Sequence, residues 1–165
     1  MDFSFTEEQD AVRELAARIL GDLSTPERLK EVEATDERID RKLLSELGSA
    51  GLLGVALPES TGGAGLGFLA AAIVAEEVGR AAGAVPFTPT VVLAALPIAE
   101  FGTDEQKQTW LPRAITGDTI LTAALVEPNG DPWKPTLRAA REGDGWRLDG
   151  IKSARSRSLE RHHRL

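Results

Sequence analysis

The chain has 165 residues, 42% of them apolar and 27% charged, with a formal net charge of −7. Those values describe a globular chain long enough for one domain and the start of another, and the acidic balance argues against a nucleic-acid binder, which carries a basic face. The absence of cysteine excludes a disulfide framework, a thiol nucleophile and a zinc site built on thiolates.

The N-terminus, Met1-Asp2-Phe3 followed by Glu7 and Glu8, lacks the basic region and apolar core of a signal peptide. A cytoplasmic protein is therefore expected. Thr6 and Gln9 have capping-box spacing, and Val12, Leu15, Ala16, Ile19 and Leu23 then fall on one helical face. A second short helix is expected from Thr25, with Pro26 in its first turn and Leu29 and Val32 along it. Asp40 is placed to cap a third, whose stripe is Leu43, Leu44 and Leu47 and whose end is Gly48 or Gly51.

The stretch 70–82 is alanine-rich and helical, with Glu76, Glu77 and Arg80 expected on its wet side. From Ala81 to Ala99 no residue is charged, close to the ~20 residues a membrane span needs. Pro86, Pro89 and Pro97 interrupt that run and Thr88 and Thr90 add polarity, so a buried helix is expected and no membrane span. Thr103 and Gln106 repeat the capping-box spacing, with Asp104 and Glu105 where the helix dipole favours anions. After Gly117 the pattern changes. Thr119 to Val126 reads as a strand, and Glu142-Gly143-Asp144-Gly145 between Leu137–Arg141 and Trp146–Leu148 reads as a hairpin.

Few segments suggest chemistry. The run from Leu57 to Gly67 is glycine-rich, yet it lacks a P-loop lysine and a preceding strand, so it reads as a tight turn between packed helices. The two histidines, His162 and His163, are adjacent and project in different directions; no metal site is expected. The Glu76-Glu77 pair reads as a solvated face rather than an acid/base pair, and Trp110, Trp133 and Trp146 as packing residues. No nucleophile–base constellation can be assembled.

In order, these segments resemble the N-terminal part of the acyl-CoA dehydrogenase family. FTEEQDAVRELAARIL resembles its first helix, LGSAGLLGVALPESTGGAGLG its Pro-Glu…Gly-Gly-x-Gly connection, and AEEVGRAAG the helix that follows. FGTDEQKQTWLPRAITGD resembles the helix–turn segment before the β domain, ILTAALVEP the first strand and its Glu-Pro turn, and GDGWRLDGIK the hairpin. The likeness runs from about Phe3 to Lys152.

The resemblance implies a mainly α chain: a helical domain of acyl-CoA dehydrogenase type at 1–117, the truncated start of a β-barrel domain at 118–152, and a basic tail at 153–165. It implies FAD as cofactor, an acyl-CoA thioester as substrate and an electron-transfer acceptor. In the family that the chain resembles, a glutamate base removes the α proton while the β hydride passes to the flavin. Leu125, Val126 and Pro132 are the cofactor-binding candidates, through backbone contacts. Val91, Val92 and Leu96, with Leu93, are the candidates for lining the acyl end of the cleft. Members associate as dimers of dimers, and some pair a catalytic with a non-catalytic subunit, so a homo- or hetero-oligomer is implied.

The sequence departs from the family in three places. Where members read Thr-Glu-Pro-Gly-x-Gly-Ser-Asp, this chain has Val126 for the threonine and Pro132 for the serine, which removes both hydroxyls. After Asp149-Gly150-Ile151-Lys152 members continue Trp-Ile-Thr or a variant; here Ala154-Arg155-Ser156 stands in that register. The helical domain that supplies the base is absent from these 165 residues. Lys152 to Leu165 also carries five cations against one carboxylate, net +4, leaving −11 on residues 1–151. The expectation is acyl-CoA dehydrogenase-like, FAD-dependent α,β-dehydrogenation, incomplete in this chain, with the tail marking a truncated or frameshifted gene. The alternative in function is a non-catalytic partner subunit or a remnant without turnover. The rival to truncation is a genuine short subunit completed by a separate chain, and an expression scar is the third reading.

Overall fold

Local signals start most of the helices. The structure, a computed structural model, describes residues 4–128, 130–131 and 133–152. Helix α1 (Glu7–Leu23) opens on a reciprocal capping box, Gln9 N–H donating to Thr6 Oγ1 at 3.3 Å and Thr6 N–H to Gln9 Oε1 at 3.1 Å. Its Val12, Ala16 and Leu20 are buried, and the guanidinium of Arg13 lies 4.0 Å from the centre of the Phe5 ring. Helix α2 (Pro26–Glu33) starts behind Thr25 with proline at its first position, where the missing N–H has no intrahelical partner to lose.

Asp40 caps α3 (Arg41–Ser49) and does more than cap. Its Oδ1 accepts from Leu43 N–H at 3.1 Å, while Arg28 of α2 donates to both carboxylate oxygens at 2.8 Å. The backbone N–H of Asp40 donates to Ala84 O at 2.8 Å. One residue thus joins α2, α3 and the loop after the next long helix. Leu43, Leu44 and Leu47 are buried as the stripe predicts.

Short 3-10 turns at Leu52–Gly54 and Glu59–Thr61 carry the chain to α4 (Gly67–Arg80). Ala70, Ala71, Ile73 and Val74 of α4 face the core. So does Glu77, which corrects the expectation that it lies on the wet side with Glu76. Glu77 is only 5% exposed, and Arg80 reaches back to it at 3.3 Å while binding Glu76 at 2.8 Å.

The uncharged run is not one continuous α-helix. Thr88–Ala95 winds as a π-helix, with Leu96 N–H donating to Val91 O five residues back, and α5 (Leu96–Phe101) continues from it. Pro89 stands in the first turn of the π winding and Pro97 in the first turn of α5, positions where a helix tolerates proline. Among the described residues no helix is long and apolar enough to cross a membrane. The second capping box, Thr103 with Gln106, opens α6 (Asp104–Ile115).

The main core is built from α1, α3, α4, the 3-10 turn at Leu52–Gly54, Phe87 and Val91, with Ile120 packed at its margin. A smaller cluster holds Leu57, Ala95 and Leu111. The described chain divides into two compact units between Leu121 and Thr122. In the second, β1 (Arg138–Glu142) pairs antiparallel with β2 (Gly145–Asp149), Glu142 opposite Gly145, across the two-residue turn Gly143-Asp144. Gly143 takes the left-handed backbone (φ +61°) that such a turn requires.

One predicted strand is absent. Residues 119–126 form no ladder, because a strand is defined by a paired neighbour and no described segment pairs with them. Trp133 and Trp146 also depart from expectation: both are exposed, at 91% and 67%, instead of packed.

Candidate functional site

The segment from Leu125 to Leu137 is organised around one carboxylate. Glu127 has a side chain 4% exposed, and both of its oxygens are fully engaged. Oε2 accepts from the Thr136 N–H at 2.6 Å and the Thr136 hydroxyl at 2.5 Å. Oε1 accepts from the Leu137 N–H at 3.0 Å and from Lys152 Nζ at 2.8 Å. The ammonium of Lys152 is the largest influence, with the Thr136 hydroxyl and the backbone donors next, and together they hold the Glu127 carboxyl down at about 2. A carboxylate so placed stays ionised and has no vacant acceptor position, so it is a tether and not a proton-accepting base.

Lys152 completes the tether by reaching the Leu125 carbonyl at 3.4 Å. Beyond Glu127 the chain turns back through local bonds: Gly130 N–H to Glu127 O (3.3 Å), Trp133 N–H to Asp131 Oδ1 (3.0 Å), and Lys134 N–H to Asp131 O (2.9 Å). The Asp131 side chain closes this turn by bonding its own backbone two residues on. Leu125 and Val126 are exposed, at 62% and 48%, and among the described residues neither peptide group of Val126 has a hydrogen-bond partner. Pro132, the third cofactor candidate, lies outside the described residues, as do His162, His163 and Ala154-Arg155-Ser156.

The acyl candidates sit in the other compact unit, on the π-helical winding and the start of α5. Val91 is buried in the main core, whereas Val92 and Leu96 are half-buried and Leu93 is exposed. Of these candidates Val91 lies inside the core, and only Val92, Leu93 and Leu96 reach the surface. Leu96 rests on the smaller cluster.

The glycine-rich run is a packed connection. Five successive backbone donors are satisfied internally: Gly62 by Glu59 O, Gly63 by Pro58 O, Ala64 by Gly54 O, Gly65 by Leu57 O and Leu66 by Val55 O. A phosphate cradle needs such groups unpaired and convergent, so this run is not one. At Gly63 a Cβ would lie 2.2 Å from Leu57 O, which explains the glycine by close backbone approach. Among the described residues no group of His, Asp and Glu side chains is arranged to hold a metal ion.

Sequence reading missed Glu127, Thr136 and Lys152 as a unit. The Glu-Pro turn was visible, but 25 residues separate Glu127 from its ammonium partner and no local periodicity links them.

Residues 6–118 match the family model described as acyl-CoA dehydrogenase, N-terminal domain. Over 153 residues the chain is 39% identical to the acyl-CoA dehydrogenase FadE27 of Mycobacterium tuberculosis, covering 93% of this chain and 40% of that protein. It is 33% identical over 150 residues to the mitochondrial isovaleryl-CoA dehydrogenase of Bos taurus, covering 88% of this chain and 35% of that one. Among solved structures, a variant of the Tcur3481-Tcur3483 steroid ACAD superposes with a TM-score of 0.85 at 49% identity, covering 90% of this chain and 41% of that one. The ChsE4-ChsE5 complex from Mycobacterium tuberculosis gives 0.85 at 39% identity, covering 94% and 42%. The chain thus spans about 40% of the length of these relatives.

Proposed function

The chain belongs to the acyl-CoA dehydrogenase family, and from that premise we propose that it forms the helical and loop part of a machinery for FAD-dependent α,β-dehydrogenation of an acyl-CoA thioester. FAD, when bound, supplies the acceptor for the hydride leaving the β carbon. The observation that carries the reading is the tethered Leu125–Pro128 segment, in which Val126 is 48% exposed and its peptide N–H and C=O have no partner among the described residues. Free peptide donors and acceptors on a fixed backbone suit the edge of a flat heteroaromatic ring, and they fit a flavin without any side-chain hydroxyl. Val126 cannot provide the family's threonine contact. The loss of one neutral hydrogen bond weakens flavin binding by about 0.5–1.5 kcal/mol and does not abolish it.

On the substrate side, Val92, Leu93 and Leu96 offer an apolar surface, which matches the acyl portion of the thioester. Glu127, with every acceptor position engaged, is not the base. In this reading the α proton is removed by the glutamate that the family resemblance places in a further helical domain. Reoxidation falls to an electron-transfer protein.

A second reading is a non-catalytic partner subunit or a remnant without turnover. Two of the similar structures carry paired chain names, ChsE4-ChsE5 and Tcur3481-Tcur3483, which favours assembly with a second chain. The chain is purified alone and with a co-expressed acyl-CoA dehydrogenase chain, and flavin absorbance is read before and after an acyl-CoA is added. Co-purified flavin that bleaches on substrate addition supports the enzymatic reading. Absence of flavin from both preparations overturns it.

A further inference from the structure

Glu127 holds together three separate stretches of chain. Its four acceptor positions are filled by Thr136 N–H, the Thr136 hydroxyl, Leu137 N–H and Lys152 Nζ, and the same ammonium touches the carbonyl of Leu125. The hydrogen bonds run from Leu125 and Glu127 to residues nine, ten and 25 positions beyond Glu127. A carboxylate that collects this many donors, two of them backbone N–H groups, constrains the peptide planes on either side of it. Val126 lies between the two residues that the ammonium contacts. Among the described residues its own peptide groups make no bond, and the residue is 48% exposed.

We propose that Glu127 and Lys152 are positioning residues, a clasp that orders the Val126 peptide groups in advance for contact with the flavin. Backbone preorganisation takes over in this chain the recognition that hydroxyl side chains perform in relatives. Affinity follows because a segment already ordered loses less conformational freedom on binding. The inference rests on the reading that this segment meets the flavin, and it adds which residues make the segment competent. Neither residue touches the flavin, and neither moves a proton.

The test uses the full 165-residue chain, co-expressed with an acyl-CoA dehydrogenase chain where flavin uptake needs it. Glu127→Gln, Lys152→Met and Lys152→Arg are compared with the parent by backbone amide relaxation and by FAD titration. Glu127→Gln and Lys152→Met are expected to drop the Val126 order parameter from the rigid range to below about 0.6 while α1, α3 and α4 keep theirs. The same two variants are expected to bind FAD about tenfold more weakly, and Lys152→Arg, which retains charge and reach, to recover most of that loss. Exposed Arg147→Ala on β2 should leave both readouts unchanged.

An unchanged Val126 order parameter in both Glu127→Gln and Lys152→Met overturns the clasp, whatever the flavin does. Lost order with unchanged FAD affinity overturns the positioning role. A parent chain that takes up no FAD under any condition overturns the functional reading separately, and the order parameter then decides the clasp alone.

Discussion

Glu127 and Asp40 are carboxylates withdrawn from water, and each is kept ionised by a cation together with backbone donors. For Asp40 the bidentate guanidinium of Arg28 is the main cause and the Leu43 N–H adds to it, so its carboxyl sits below the usual range. For Glu127 the value is about 2. Both shifts are depressions, so both contribute stability that is full above the ordinary carboxylate range and is lost as pH falls. For Glu127 the loss runs from about 4.5 down through about 2. A carbon-detected NMR titration should find its carboxyl unprotonated at pH 3, and the Thr136 and Leu137 amide shifts should move only below that. Asp40→Ala removes a helix cap and leaves Arg28 without its main partner. The cap alone corresponds to a loss of about 1 kcal/mol, to be read from urea unfolding. Glu77 is the residue-scale surprise, since the same i, i+3 and i, i+4 spacing that makes Glu76 a surface partner of Arg80 turns its neighbour inward.

At the scale of elements, the caps at Thr6, Thr25, Asp40 and Thr103 are where the sequence places them, because a capping bond spans three residues and requires nothing from the rest of the fold. The glycine-rich connection depends on close approach. Gly63→Ala forces a Cβ against Leu57 O, and the expected destabilisation is about 1–3 kcal/mol, measured as a lowered unfolding midpoint with unchanged slope. Leu47, fully buried on α3, is the contrasting case: Leu47→Ala opens a cavity and should lower stability by about 2–5 kcal/mol. The uncharged run shows how composition misleads. Its lack of charge suggests one buried helix, while Thr88–Ala95 winds as a π-helix with Leu93 exposed and Leu96 half-buried.

The whole molecule has one well-built core and one lightly built unit. Residues of α1, α3 and α4 bury the apolar surface on which stability rests. In the second unit every residue of β1 and β2 is exposed, Trp146 and Leu148 included, and a lone two-stranded hairpin is marginal in water. Native-state hydrogen exchange should therefore separate them. Core amides of α1, α3 and α4 should exchange only through global unfolding, and those of β1 and β2 through local opening at least about a hundredfold faster. Equal protection in both would contradict this account.

The sequence by itself determined the helical character, the caps, the hairpin turn and, through six short segments in order, the family. These are signals carried within a few residues or by their order along the chain. Tertiary structure alone decided that residues 119–126 form no strand, that Glu77 and Val91 are buried, and that the glycine-rich run satisfies its own N–H groups. It also brought Lys152 to Glu127 and Arg28 to Asp40. Each of those outcomes depends on partners distant in sequence, and a hydrogen bond or a buried contact becomes visible only when the fold has placed both of its ends.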